Sequence, residues 1–191
     1  MVGRPVDHRR RAGLLEAAVD HAAEQGFSEL SFRSVASALG VSTTTLVHHF
    51  GTKEQLLEAV LERLRVRVAA ATEAVVGESR DLVPVARAVW AASSDPRHEA
   101  TFRLFFAVYG HALQTPERFQ DFLYAAGRDL SDLLRRAQAP DVDPVVAERR
   151  AALVIATVRG LLLDLLAHGD RERVQATAES FFATLAASPL N

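Results

Sequence analysis

Two very short apolar stripes joined through a glycine most constrain the fold of this chain. The first stripe runs from Phe32 to Leu39 at helical spacing, and Ser31 stands before it as a candidate N-cap. Gly40 follows at a position where a turn with positive φ favours glycine, and Ser42 can cap a second helix that ends near Phe50. Two short helices joined through the sequence ALGVS predict a helix-turn-helix.

Helical periodicity extends over the rest of the chain, and no segment alternates as a half-buried strand does. Thr52 and Gln55 have the spacing of a capping box, which predicts a long fourth helix. Beyond about residue 77 the predicted helices are longer and more apolar, and Pro96, Pro116 and Pro144 mark helix starts. The last two helices are expected over residues 144–168 and 170–187. The expected fold class is therefore all-α with about nine helices, in which a three-helix N-terminal domain is joined to a helical C-terminal domain.

Composition limits the classes of site that this chain can hold. It has no cysteine, so disulfides and thiolate metal sites are excluded. With 22 basic and 24 acidic residues the net charge is −2, so the chain as a whole is not a nucleic-acid polycation. The charge is uneven, because no acidic residue occurs from 31 to 52 and arginines are concentrated near the N-terminus, at Arg4, Arg9, Arg10 and Arg11. A solvated arm and an anion-binding surface both fit this asymmetry.

The sequence carries no sign of a membrane segment or a secretion signal. No apolar run follows the N-terminal arginines, and the most apolar stretch, residues 151–167, is interrupted by Arg159 and Asp164. That stretch is also shorter than the roughly 20 residues of a membrane span. We expect a soluble, cytoplasmic protein that needs no cofactor.

The outward face of the third short helix has the chemistry of a DNA-reading surface. Thr43, Thr44, Val47 and His48 share this face, and the first turn offers hydroxyls and free backbone N–H groups. Threonine hydroxyls can hydrogen-bond base edges or phosphates, and their methyl groups can meet a thymine methyl. Two flanking cations can neutralise phosphates, namely Arg33 and Lys53.

The adjacent histidines also suggest functions other than contact with DNA. Side chains of neighbouring residues on a helix point about 100° apart, so His48 and His49 are poorly placed to share a metal ion. A hydroxyl–histidine pair such as Thr45 and His48 lacks an obvious orienting third group for catalysis. The plain alternative is that the threonines form a solvated face and that His49 packs at a helix junction.

Residues 26–60 resemble the N-terminal domain of TetR-like transcriptional regulators. The matching elements are Gly26-Phe27, Ser31, Arg33, Ala36, Gly40-Val41-Ser42, Thr45-Leu46, His49-Phe50 and Lys53-Leu56. The resemblance implies a bacterial homodimeric repressor that binds a palindromic DNA operator and is released by a small molecule. It also implies two domains, a helix-turn-helix DNA-binding domain over residues 1–52 and a ligand-binding and dimerisation domain over residues 53–191.

The resemblance assigns contacts to individual positions of the helix-turn-helix. Thr43 and Thr44 take base-reading positions, whereas Thr45, His48 and Lys53 take phosphate-contacting positions. Ser42 and Arg33 join the predicted DNA-binding set. Val47 stands where the family usually has tyrosine, and it can offer only apolar contact, for example with a thymine methyl. The N-terminal arginines could then reach a neighbouring phosphate or the minor groove.

The C-terminal part predicts a ligand pocket and a dimer interface. An aromatic stripe on the sixth helix is either core or pocket wall, and we expect an apolar or weakly polar effector. The predicted pocket residues are Trp90, Phe102, Phe105, Phe106, Tyr109, Phe122 and Tyr124, with Phe119 and His111 nearby. Residues 151–169 are apolar almost all round, which predicts burial on more than one side and a four-helix interface with a second copy. The predicted interface residues are Leu153, Gly160, Leu161, Phe181, Phe182 and Leu185.

The function predicted from the sequence is therefore a ligand-responsive transcriptional regulator, most simply a repressor, and not an enzyme. Two alternatives stay open. One is an interaction protein that keeps the fold but does not read DNA, which Val47 alone would favour. The other is a helical enzyme that uses His48, His49 or His111, although no acid, base and nucleophile cluster in the sequence.

Overall fold

The computed structural model describes residues 7–76 and 81–187, and these residues form nine α-helices without any strand. Two short 3-10 turns, Phe27–Glu29 and Pro96–His98, interrupt the helical series. The all-α prediction is confirmed. The helices are α1 His8–Gln25, α2 Phe32–Leu39, α3 Thr43–Phe50, α4 Lys53–Val76, α5 Leu82–Ser93, α6 Glu99–Ala112, α7 Gln120–Arg136, α8 Pro144–His168 and α9 Arg171–Ala187.

The predicted caps set the ends of the short helices. The Ser31 hydroxyl accepts the Ser34 N–H at 3.1 Å, and the Ser34 hydroxyl accepts the Ser31 N–H at the same distance. Gly40 ends α2 in the left-handed region with φ 62° and ψ 30°, which a side chain would strain. At the start of α4, Thr52 and Gln55 exchange the two bonds of the predicted capping box at 2.9 and 3.2 Å.

Of the three prolines that were predicted to mark helix starts, only Pro144 is the first residue of an α-helix. Asp143 caps α8 as expected, and Pro144 is its first residue. Pro96 begins a 3-10 turn that leads into α6 at Glu99. The expectation for Pro116 is wrong, because residues 115–119 form hydrogen-bonded turns and α7 begins only at Gln120.

Contacts divide the chain into two compact units. Unit 1 contains the residues up to Arg67 together with Arg103–Phe122, and unit 2 contains Val68–Phe102 together with the residues from Leu123 onward. The functional division between residues 52 and 53 remains a prediction. Fully buried side chains of the unit 1 core include Ala18, Val19, Val35, Leu46, Leu56, Val60, Leu64 and Val108, and those of unit 2 include Val85, Val89, Leu134, Val154 and Phe182.

α8 is the central apolar helix of unit 2. One face is buried, from Ala147 through Leu165, while Leu153 and Leu163 on the other side are exposed. By length and composition α8 could also cross a membrane, a property that core helices of soluble proteins share. The two charged residues that interrupt its most apolar stretch have separate partners within unit 2, since Arg159 donates to the Ala126 carbonyl at 2.9 Å and Asp164 pairs with Arg173 at 2.9 Å.

Candidate nucleic-acid interface

The turn between α2 and α3 fixes the direction in which α3 begins. After Gly40, the Val41 N–H donates to the Ala36 carbonyl at 3.0 Å, which closes the turn on the preceding helix. α3 then packs against α1 and α2 through Leu46 and Phe50, both buried. Because these anchors lie on one side of an eight-residue helix, the opposite side of α3 faces outward.

Ser42 and Thr45 form the cap of α3. The Ser42 hydroxyl accepts the Thr45 N–H at 3.1 Å, and the two hydroxyls are hydrogen-bonded to each other at 2.9 Å. Helix geometry leaves the N–H groups of Thr43 and Thr44 without intrahelical acceptors, and both threonines are exposed. The start of α3 thus offers backbone donors, free threonine side chains and the positive end of the helix dipole to an anion.

The next turn of α3 continues the outward face. Val47 is 48% exposed, the largest exposed fraction among the bulky apolar side chains described in α2 to α4, and His48 beside it is also exposed. The face therefore joins hydroxyl, methyl and imidazole groups. This mixture suits base edges, thymine methyls and phosphates better than it suits a packed core.

The two histidines have different surroundings. Their ring centroids lie 5.2 Å apart in an edge-to-face arrangement, but His49 is only 9% exposed. Burial lowers the pKa of His49 below its ordinary value, and the nearby charge of His48 acts in the same direction. His49 is therefore neutral at pH 7 and supports the helix junction, while His48 is available to a ligand. Among the described residues no group of three or more metal-binding side chains occurs.

Three arginines of the N-terminal run lie in the first turn of α1. Asp7 caps this helix by accepting the Arg10 N–H at 3.1 Å. The Arg11 Nε donates to the His49 carbonyl at 3.1 Å, and its guanidinium lies 5.2 Å from the centre of the Phe50 ring. Arg9 is exposed, whereas Arg4 lies outside the described residues.

A polar groove connects the start of α1 with α3. It has a volume of about 360 Å³, and it brings Arg10 together with the cap and the outward face of α3. Arg33 in α2 and Lys53 at the start of α4 are exposed elsewhere on unit 1. The residues that line the groove are Asp7, Arg10, Ser42, Thr44, Thr45, His48 and His49.

Sequence comparisons identify the family. Residues 14–60 match the family model of bacterial regulatory proteins of the tetR family. The HTH-type transcriptional regulator BetI of Rhizobium meliloti (strain 1021) is 31% identical over 160 residues, which cover 81% of this chain and 76% of BetI. The chain belongs to the TetR family. The resemblance seen in the sequence is thereby confirmed.

Two further TetR-family comparisons extend over most of the chain. The HTH-type transcriptional regulator PksA of Bacillus subtilis (strain 168) is 27% identical over 175 residues, covering 84% of this chain and 83% of PksA. The crystal structure of the multidrug binding protein EbrR complexed with imidazole has the same fold, with a TM-score of 0.68 and 24% identity over 94% of this chain and 90% of EbrR. This TetR-family chain is a transcriptional regulator with a helix-turn-helix, and its family is not a family of enzymes.

The aromatic residues predicted to line an effector pocket are divided between the two units of this TetR-family chain. In unit 1 the Phe105 ring is 5.5 Å from Phe106, 5.8 Å from Tyr109 and 6.1 Å from Phe122 between centroids. These contacts form one aromatic cluster. The assignment of the cluster to a pocket remains a prediction.

The other predicted pocket residues belong to unit 2, except that His111 and Phe119 lie in unit 1. Trp90 is buried, and its indole N–H donates to Gln175 Oε1 at 2.8 Å. Phe102 is also buried, whereas Tyr124 is 67% exposed and lies under the Arg128 guanidinium.

The predicted interface residues differ in their exposure. Leu161, Phe182 and Leu185 are buried within the protomer, so they can support a surface but present little of one. Leu153 and Gly160 are exposed on α8, and a Cβ added at Gly160 would have no described atom within 4 Å apart from its chain neighbours and the backbone of its own helix. Phe181 is half-buried on α9. The interface prediction thus rests on the exposed face of α8.

Sequence reasoning missed two features of unit 1. The arginine run indicated an anion-binding arm, but it did not show that Arg11 would be tied to the end of α3. It also did not indicate that Lys53 and Arg118, 65 positions apart, would line one cavity with His111. No local pattern contains either signal, because both depend on how helices distant in sequence pack.

Proposed function

We propose that this chain is a repressor that binds a palindromic operator as a homodimer in the cytoplasm and is released by a small-molecule effector. The observation that carries the proposal is the outward face of α3, which follows a well-formed helix-turn-helix and has exposed threonines at its free N-terminus. Residues 31–52 contain no acidic residue that would repel the phosphate backbone of DNA at this face.

The individual contacts follow from position and chemistry. Thr43 and Thr44 would read base edges, because their side chains are exposed and not used by the cap. His48 and Lys53 would contact phosphates, as would Arg33. Ser42 and Thr45 are hydrogen-bonded to each other. They would therefore contribute to DNA binding mainly by fixing the start of α3, so that the free backbone N–H groups of Thr43 and Thr44 face the DNA.

Val47 would contribute apolar contact in place of the tyrosine that relatives usually have. Its exposed isopropyl group suits a thymine methyl. Arg10 shares the groove with Thr44 and His48, and its cation could supply phosphate contact that Val47 lacks. In this proposal, the phosphate contact that a tyrosine hydroxyl would make is made instead by Arg10 at the start of α1.

Dimerisation would use the exposed apolar face of α8 together with α9. Leu153 and Leu163 are exposed on α8, and Gly160 between them permits close approach of a second helix. A two-fold axis would bring two copies of each helix together, so that two α3 helices could meet successive major grooves.

Control by an effector would act through α4. This single helix begins at Lys53 and continues to Val76, so it belongs to both units of the chain. An effector that favours one orientation of α4 would change the spacing of the two reading helices, provided that it binds the released state more tightly. The imidazole complex of EbrR supports the idea that this fold holds small molecules.

The test is selection of DNA by the purified protein, followed by fluorescence anisotropy on the selected duplex and on the DNA upstream of its own gene. We expect an inverted repeat that binds roughly 1,000-fold more tightly than random DNA at physiological salt. Equal affinity for selected and random DNA would reject operator binding and favour an interaction protein. Candidate effectors are then screened for release of the selected duplex.

A further inference from the structure

A cavity of about 490 Å³ lies within unit 1, and none of its lining residues belongs to α3. Its walls are the turn after α1, the first turn of α4, the end of α6 and the turn before α7. The volume is in the range of small-molecule sites. The aromatic cluster around Phe105 does not line it. The lining includes Phe27, Leu30, Lys53, Leu56, His111, Arg118 and Phe119.

The inner wall of the cavity is apolar and aromatic. Leu30, Leu56 and Phe119 are buried. The His111 ring contacts two phenyl rings, with its centroid 5.3 Å from that of Phe27 and 5.4 Å from that of Phe119. Such walls favour a flat ring, because aromatic groups stack edge to face or offset at these distances.

The polar part of the lining is cationic. Lys53 and Arg118 are both exposed, and among the described residues neither forms a salt bridge. The Arg118 guanidinium lies 5.7 Å from the centre of the Phe119 ring, so charge and aromatic wall adjoin. The described residues that line the cavity include no carboxylate.

The carboxylate of Glu54 lies close enough to interact with both cations. Its pKa is lowered first by a hydrogen bond to its own backbone N–H and then by the Thr52 hydroxyl, with smaller effects of Arg118 and Lys53. Glu29 and Glu117 are chain neighbours of lining residues but, like Glu54, they are not part of the lining, whereas Lys53 and Arg118 are, so the charged side chains that line the cavity are both positive.

We propose that this cavity binds an aromatic carboxylate, whose ring packs against Phe27 and Phe119 and whose carboxylate pairs with Arg118 and Lys53. Arginine presents paired N–H donors that match a carboxylate, and lysine adds a point charge. Because Lys53 cannot serve a carboxylate and a DNA phosphate at once, the ligand weakens operator binding. This last consequence rests on the proposed function, whereas binding to the cavity does not.

The first test measures binding to the full-length protein by isothermal titration calorimetry. The probe is 1-naphthoate, and the controls are its uncharged analogue 1-naphthalenemethanol and the ringless anion acetate. We expect 1-naphthoate to bind at least about tenfold more tightly than either control. The reason is that 1-naphthalenemethanol lacks the carboxylate and acetate lacks the aromatic ring. Equal affinities for 1-naphthoate and 1-naphthalenemethanol would overturn the cationic site, and equal affinities for 1-naphthoate and acetate would overturn the aromatic one.

Two charge-matched variants locate the site. Arg118→Gln removes the cation from the cavity, and Arg128→Gln removes an exposed, ring-contacting arginine from unit 2. We expect Arg118→Gln to weaken 1-naphthoate binding about tenfold and Arg128→Gln to leave it unchanged. An equal effect of both variants, or none, would place the probe elsewhere and reject the proposal. Circular dichroism melting shows whether each variant is folded.

The second test links the cavity to DNA. In anisotropy titrations, 1-naphthoate should weaken binding of wild-type protein to the selected duplex and should have little effect on Arg118→Gln. If the probe binds but leaves DNA affinity unchanged, competition for Lys53 is wrong. If the protein binds no specific DNA, the proposed function fails, while calorimetry still decides whether the cavity takes an aromatic carboxylate.

Discussion

Helices α3 and α8 bury one face each, but they expose opposite chemistry. α3 has eight residues, and its outward face carries Thr43, Thr44 and His48. α8 has 25 residues and exposes Leu153 and Leu163 on the side away from its buried stripe. Apart from His49 on α3, the buried faces are both apolar, so they do little to distinguish the helices. The exposed faces do, because hydroxyls suit a hydrated polyanion and leucines suit another protein surface.

The largest expected effect is a loss of stability when one of the few buried side chains that hold α3 in place is truncated. Leu46 is fully buried in the small core of unit 1, so Leu46→Ala should lower the free energy of unfolding by about 2–5 kcal/mol. Its exposed neighbour provides the control, and Val47→Ala should change stability by less than about 0.5 kcal/mol. Urea unfolding followed by circular dichroism measures both. Equal effects would mean that Leu46 is not the anchor.

The outward face of α8 is tested by placing a charge on it. Leu163→Glu should raise the dimer dissociation constant at least about 100-fold, because an unpaired carboxylate would be buried between subunits. Leu113 is also exposed but follows α6, so Leu113→Glu is the control and should leave the dimer intact. Sedimentation over a range of concentrations distinguishes them. A monomeric wild-type protein, or a dimer that tolerates Leu163→Glu, would contradict the proposed interface.

The outward face of α3 and its flank should differ in what they contribute to DNA binding. Thr43→Ala should cost about 1–3 kcal/mol on the selected duplex and relax preference at one base pair, with little change on random DNA. Lys53→Ala should weaken binding to every sequence about equally and reduce the salt slope by about one. Anisotropy titrations on both duplexes at several salt concentrations measure these effects. Equal losses of both variants on both duplexes would defeat the assignment.

The smallest effect concerns the histidine that α3 buries. Burial, aided by the charge of His48, lowers the pKa of His49, while the unfolded chain keeps a value near 6.5. As pH falls below about 6.5, the unfolded state therefore takes up a proton first, and the folded protein loses stability. His49→Gln cannot titrate, so it should lose less stability between pH 7.5 and pH 5 than the wild type does. Identical pH dependence in urea unfolding would contradict a buried, neutral His49.

Local signals in the sequence account for the features that were predicted well. Gly40, Ser42 and the Thr52–Gln55 pair determine helix ends within a few residues, so their spacing sufficed for the helix-turn-helix. The boundaries of α8 were equally local, because Asp143 and Pro144 start it. The prediction that Pro116 starts a helix was wrong because proline is as suited to a turn as to the first residue of a helix.

Features that depend on packing between distant segments were not predicted. The sequence shows that Phe181 and Phe182 are both apolar, but burial of Phe182 and partial exposure of Phe181 follow from the position of α9 in unit 2. The shared cavity of Lys53 and Arg118 likewise requires α4 and the turn before α7 to lie close together. Periodicity identifies the face of a helix, but it does not identify the neighbour of that face.

The bond from Arg11 to the His49 carbonyl has a consequence for the evolution and engineering of specificity. It attaches the C-terminal end of α3 to the start of α1, next to Arg10. Transfer of α3 into a related regulator would therefore also require transfer of Arg11. Without Arg11, the transferred helix would be tilted differently relative to α1. If α3 binds DNA as proposed, substitutions at the start of α1 would change operator preference during divergence without any change in the side chains on the outward face of α3.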